Sequence, residues 1–146
     1  MQTVFWGPPS WKFIHSVANN YANRDFPMDP EVKQHYKNFF YGLRYILPCR
    51  YCRKSYKEFI QKLPIDEFLN YPNGPLYWTY LIHNMVNNKL RKQGEYNKQD
   101  PAFADVCRYY KQFNAKSCVK DTEIETCKPN KKCAKPYSGV KYFEII

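Results

Sequence analysis

An all-helical fold is predicted for this chain by three observations. Apolar side chains recur at the i, i+3, i+4, i+7 spacing in several separate stretches. No convincing apolar/polar alternation of the strand type occurs before about residue 115. The length of 146 residues, with 18% aromatics including 14 Tyr and 10 Phe, suffices for one compact core with large buried area per side chain. One domain over residues 1–114 and an appended tail over 115–146 are expected.

The first helix is expected from about Pro9 to Tyr21, opened by Pro8-Pro9-Ser10, with Trp11, Ile14, His15 and Ala18 on one face. The loop Asn23-Arg24-Asp25-Phe26-Pro27-Met28-Asp29-Pro30 ends it. A second helix follows from about Glu31 to Ile46, and its apolar stripe is Tyr36, Phe39, Phe40, Leu43 and Leu47. Pro48 breaks that pattern, so a third helix starts near Cys49 and turns Cys52, Tyr56, Phe59 and Ile60 inward before Pro64. Residues 66–69 suit a short helical turn, and Tyr71-Pro72-Asn73-Gly74-Pro75 is dense in breakers. The fourth helix runs from about Leu76 to Lys92 and is stopped by Gly94. A short fifth, from Pro101 to Phe113, carries Phe103, Val106, Cys107 and Tyr110 on one face. From about Ala115 the composition shifts to Lys, Thr, Glu, Pro and Cys without periodicity, which reads as an irregular appendage pinned by its own cysteines.

A formal charge of +10 raises the question of nucleic acid, but the Lys and Arg residues are dispersed and no recognised nucleic-acid motif is present. A solvated basic surface is the reading preferred. No run of 18 apolar residues exists, and Met1-Gln2-Thr3-Val4-Phe5-Trp6 lacks the basic and apolar regions of a secretory signal. The chain is expected to be soluble, unprocessed and without a membrane partner.

Six cysteines in such a chain point to thiol or metal chemistry. The pair in Leu47-Pro48-Cys49-Arg50-Tyr51-Cys52 is a C-x-x-C at the start of a helix, the usual setting of a disulfide that opens and closes. There the backbone amides, the helix dipole and the neighbouring Arg50, Arg53 and Lys54 favour a thiolate at Cys49. A thiolate can attack a disulfide or donate to an electron-poor ring. The alternative is half of a zinc site in a basic nucleic-acid- or protein-binding module, with Cys127 and Cys133, or Cys107 and Cys118, as further ligands.

Two histidines add a second observation. His15 lies one turn from Trp11, and His83 lies one turn from Asn87 with Asn84 beside it. Each could be an ordinary satisfied core histidine. Together they put polar groups on inward helical faces that demand partners, and a flavin or adenine edge would satisfy them with Trp11 as stacking surface. Lys89 and Lys92, on the next turn, could reach a diphosphate or simply face solvent.

The segments Gly7-Pro8-Pro9-Ser10-Trp11-x3-His15, then Pro48-Cys49-x-x-Cys52, then Trp78-x4-His83-Asn84-x-Val86-Asn87-x-Lys89-Leu90 carry a resemblance. In order and spacing they resemble the Erv/ALR family of FAD-dependent sulfhydryl oxidases over roughly residues 5 to 113, most closely the versions of large cytoplasmic DNA viruses. The resemblance implies a four-helix bundle with a short fifth helix, FAD at the bundle mouth, and a homodimer. It implies Cys52 as the flavin-proximal cysteine and Cys49 as the one that exchanges with an incoming thiol. Gly7, Trp11, His15, His83, Asn84, Asn87, Lys89 and Lys92 fall on its cofactor-binding positions. Two departures stand out: Pro8 replaces a common Arg, and Tyr80 replaces a cysteine that many cellular members use in a structural disulfide.

The function implied is oxidation of protein thiols to disulfides, with electrons passing through FAD to oxygen to give hydrogen peroxide. The implied partners are a thiol-containing protein, either a thioredoxin-like carrier or viral structural proteins, and the implied location is the host cytoplasm or a virion. Cys107, Cys118, Cys127 and Cys133 stay open between a structural disulfide and an electron shuttle, since four cysteines allow three connectivities.

Overall fold

A computed structural model of the protein describes residues 2–114, 117–121 and 124–128, the last two runs as backbone alone. Helix α1 (Thr3–Asn20) contains Pro8 and Pro9 rather than starting at them. The prolines cannot donate to the carbonyls of Val4 and Phe5, but that turn faces water, with Val4 and Phe5 72% and 76% exposed. The inward face of α1 is Gly7, Trp11, Ile14, His15, Ala18 and Asn19, the expected helical spacing.

Helix α2 (Pro30–Ile46) is opened by Asp29, whose carboxylate accepts from the Glu31 and Val32 amides, with Pro30 in the first turn where no amide is needed. It ends at Leu47, and α3 (Arg50–Lys62) begins three residues later with Cys49 as its N-cap. A one-turn 3-10 segment (Asp66–Asn70) then leads to α4 (Gly74–Lys92). Gly74 is required there: a Cβ at this position would lie 1.7 Å from the Phe68 carbonyl oxygen, so α4 could not start so close to the preceding turn with any other residue. Gly94, at φ +74°, closes α4 in the left-handed region, with the Glu95 amide donating to the Leu90 carbonyl at 2.9 Å. Helix α5 (Phe103–Lys111) is shorter at both ends than the periodicity suggests.

Helix α1 packs on α4, α2 on α3, and α3 also meets α4, while α5 lies across α1 and α4. This is the all-helical, four-plus-one arrangement expected. The core between them is aromatic: Phe40 meets Trp78 edge-on at 5.2 Å, and Tyr21 meets Tyr36 at 4.7 Å. Each buried ring is worth about 1.5–3 kcal/mol of apolar burial. The polar ends of three buried rings are satisfied by backbone carbonyls, with Trp78 Nε1 donating to Leu63, Tyr21 to Leu69 and Tyr56 to Phe40 at 2.7–3.0 Å.

Beyond α5 the tail, expected to be irregular, contains an antiparallel pair, β1 (Ser117–Asp121) and β2 (Ile124–Lys128). Strand alternation over five residues is too short a signal to stand out in so polar a segment. The register sets Cys118 opposite Cys127. Cys133 lies outside the described residues.

Candidate functional site

A cavity of about 660 Å³ opens between the first turns of α1, the start of α3 and the last turns of α4. Its wall includes Cys49 and Cys52, joined as a disulfide with Cα atoms 5.1 Å apart. The local sequence explains the placement. Pro48 cannot extend α2, Cys49 adopts an extended backbone (φ −106°, ψ 124°), and the three-residue spacing puts Cys52 on the same side of the new helix. The Cys52 amide points at Cys49 Sγ (3.2 Å), so the helix N-terminus already faces the sulfur that would become a thiolate on reduction. Arg53 ties the segment down by donating to the Leu47 carbonyl at 2.5 Å.

Opposite the disulfide, Gly7, Trp11 and Ile14 of α1 and Val86, Lys89 and Leu90 of α4 line the same cavity. Trp11 stacks on His83 at 3.9 Å with planes 7° apart. Behind it, His15 Nε2 and His83 Nδ1 lie 3.2 Å apart and share one proton as donor and acceptor. Both rings are fully buried. Desolvation pushes His15 down to about 3, and desolvation followed by the neighbouring His15 holds His83 well below the usual imidazole range. The pair is therefore uncharged at neutral pH. The histidines back the cavity through Trp11 rather than lining it, and the polar partner that the sequence demanded between these helices is supplied in part by each for the other.

Lys89 Nζ donates to Ser55 Oγ at 2.5 Å, bridging α4 to α3 at the cavity edge. Lys92 lines a neighbouring open groove of about 540 Å³, which shares Tyr51, Ser55, Phe59 and Lys89 with the cavity. Asn87 is buried beside the cavity and its amide nitrogen donates to Asp100 at 2.8 Å; Asp100 is in turn held by the Arg91 guanidinium at 2.5 Å. The Oδ1 atoms of Asn84 and Asn87 are buried without a partner among the described residues. Neither asparagine is part of the cavity wall. Sequence reasoning did not single out Trp6, Ser10, Tyr51, Ser55 or Gln93, which do line it. Ser55 had a signal, lying one turn after Cys52 on the same helical face, whereas Trp6 precedes the first motif and had none.

Cys107 carries a thiol outside any described disulfide, half-buried on α5, and burial pushes its pKa up. That opposes a reactive role. Among the described residues no group of three or more His, Cys, Asp or Glu is gathered for a metal ion, and the first two sulfurs of the zinc alternative are bonded to each other. No helix among the described residues is long and apolar enough to cross a membrane.

Several relatives share part of this chain's sequence. A "Probable FAD-linked sulfhydryl oxidase" of Acanthamoeba polyphaga mimivirus is 41% identical over 85 residues, 56% of this chain and 56% of its own length. An FAD-linked sulfhydryl oxidase of African swine fever virus is 33% identical over 92 residues, 62% of this chain and 71% of that one. The mitochondrial FAD-linked sulfhydryl oxidase of Saccharomyces cerevisiae is 34% identical over 86 residues, 59% of this chain and 43% of that one. The chain thus spans little more than half the length of the mimiviral relative. The Erv1/Alr family model matches residues 8–114, from within α1 to just past α5, and ends where the described side chains end. With the disulfide, the stacked Trp11 and the histidine pair all inside that match, the chain belongs to the Erv1/Alr family.

Proposed function

We propose that the protein is an FAD-dependent thiol oxidase. The observation that carries this reading is the Cys49–Cys52 disulfide set in the wall of a cavity that also presents Trp11 and Lys89. The cavity fits a planar cofactor: its volume is in the range of small-molecule sites, its lining is mainly apolar and aromatic, and a few polar groups converge on it. Gly7, Trp11 and Lys89 would touch FAD directly. Lys92, in the adjoining groove, would serve the diphosphate, and His15, His83, Asn84 and Asn87 would support the cavity wall from behind.

In this reading a substrate thiolate attacks Cys49 Sγ, forming a mixed disulfide and releasing Cys52 as a thiolate. A second substrate thiolate then attacks the substrate sulfur of that bond, leaving a substrate disulfide and the Cys49/Cys52 dithiol. When bound, FAD would supply the two-electron chemistry by which the dithiol returns to the Cys49–Cys52 disulfide and oxygen, with the dithiol's two protons, becomes hydrogen peroxide. The helix N-terminus at Cys49 stabilises the thiolate form by about 0.3–1 kcal/mol. The relatives' names support the same assignment. The partner is a thiol-bearing protein, with a thioredoxin-like carrier and a viral structural protein as the candidates, in the host cytoplasm or a virion. Exposed Phe5 and Phe13 on α1 with Tyr45 and Ile46 at the end of α2 support association of two copies.

Purified protein should be yellow, with absorbance near about 450 nm, and should consume oxygen on addition of dithiothreitol with one peroxide formed per disulfide. A colourless protein that takes up no oxygen when supplied with FAD and dithiothreitol would refute the reading.

For the tail cysteines we propose a Cys118–Cys127 disulfide. Opposite residues of an antiparallel pair have Cα atoms about 4.5–5.5 Å apart, inside the span a disulfide bridges, and the backbone register makes these two such a pair. Peptide mapping without reductant should recover residues 118 and 127 in one cross-linked fragment. A Cys127–Cys133 fragment in its place would overturn the assignment.

A further inference from the structure

Buried side-chain donors in this fold are, for the most part, given partners. The Trp78 indole N–H, for example, donates to the Leu63 carbonyl at 2.8 Å. The indole N–H of Trp6 is different: it is shielded from water and has no hydrogen-bond partner among the described residues. Trp6 also lines the cavity that holds the Cys49–Cys52 disulfide. It sits one turn before Ser10 on α1, and Trp11 follows on the same wall. A desolvated N–H left unpaired is costly and rare in a folded protein, so one at a cavity wall marks the place where a ligand completes the hydrogen bond.

We propose that Trp6 is a cofactor-binding residue whose indole N–H donates a hydrogen bond to the isoalloxazine ring of FAD. This rests on the FAD reading above. The chemistry narrows the contact. An indole N–H can only donate, so its partner must be an acceptor, and the flavin ring offers carbonyl oxygens and ring nitrogens along one edge. The ring is the portion of FAD that suits this enclosed, largely apolar cavity, where Trp11, Tyr56 and Phe59 supply its faces. The diphosphate suits the lysine-bearing groove instead. Trp6 precedes Gly7 and so lies outside the motif that carries the family resemblance.

The test is Trp6→Phe, which keeps an aromatic ring and removes the N–H. Wild-type and variant full-length chains, stripped of flavin, are titrated with FAD and separately with riboflavin, followed by quenching of flavin fluorescence. The variant should bind both about tenfold more weakly, equivalent to about 1.4 kcal/mol, while its melting temperature without flavin stays close to that of the wild type. Equal affinities for FAD overturn the inference, and so does a loss seen with FAD but absent with riboflavin, because the contact would then not be to the ring. If the variant melts early, the wild type alone decides. Its Trp6 indole proton, identified by nuclear magnetic resonance as the signal missing from the variant, should exchange at least tenfold more slowly once FAD is added, and unchanged exchange overturns the inference. A wild-type chain that binds neither flavin sinks the oxidase reading itself, an outcome distinct from equal binding by both chains.

Discussion

Replacing Cys49 or Cys52 by Ser is expected to lower dithiothreitol-dependent oxygen uptake by more than about a thousandfold, the scale on which a nucleophile without a substitute is lost. The two sulfurs form one disulfide in the cavity wall, and neither has another described cysteine as a bonded alternative. With either sulfur replaced there is no disulfide for a substrate thiolate to attack and no thiolate to leave, so exchange stops at its first step in both variants. Flavin content and helical signal should survive, since Ser matches Cys closely in shape and Cys49 Sγ receives only a weak amide contact at the cap. Oxygen-electrode traces and circular dichroism on the two variants check this. Full turnover by both would sink the dithiol mechanism.

Acid should destabilise the protein well before its carboxylates titrate. His15, held at about 3, and His83, held well below the usual imidazole range, are neutral in the folded chain, whereas in the unfolded chain both take up protons near the ordinary value of about 6.5. Between those limits the unfolded state binds more protons, so stability falls as pH falls. The slope is about 1.4 kcal/mol per pH unit for each histidine. The stabilisation is complete above about 6.5 and is lost progressively toward about 3. By pH 4.5 His15 alone removes roughly 3 kcal/mol, and His83 acts in the same direction. Asp66, whose carboxyl is held low by its hydrogen bond to Lys37, begins to matter only below the ordinary carboxylate value of about 3.8. Denaturant titrations between pH 7 and 4.5 should therefore report the histidines. His15→Gln with His83→Gln should flatten the slope. A flat wild-type profile over this range would remove the buried neutral pair from the account.

The helices were legible because their inward residues are large and regularly spaced; Tyr36, Phe40 and Leu43 of α2 and Tyr56 and Ile60 of α3 are buried as the periodicity requires. Helix ends were less so. Pro8 and Pro9 look like a start signal, and only the exposure of the preceding turn explains why the helix runs through them. At the site, the C-x-x-C was legible because its chemistry depends on neighbours three residues apart. The surroundings of Asn87 were harder to read, for the opposite reason. Half of its amide is engaged by Asp100, a residue across the α4–α5 connection whose position no local pattern reveals. Tyr80, noted in the sequence as standing where many relatives have a cysteine, bonds through its hydroxyl to the Pro101 carbonyl at 3.0 Å and fastens the same connection without sulfur.

The bridge between Lys89 and Ser55 has a consequence for how an anion is received. An ammonium resting on a neutral hydroxyl is held in place yet keeps its whole charge, where a carboxylate neighbour would have cancelled it. A phosphate approaching this edge therefore meets a cation already aimed and still hungry, and must displace only a serine to claim it.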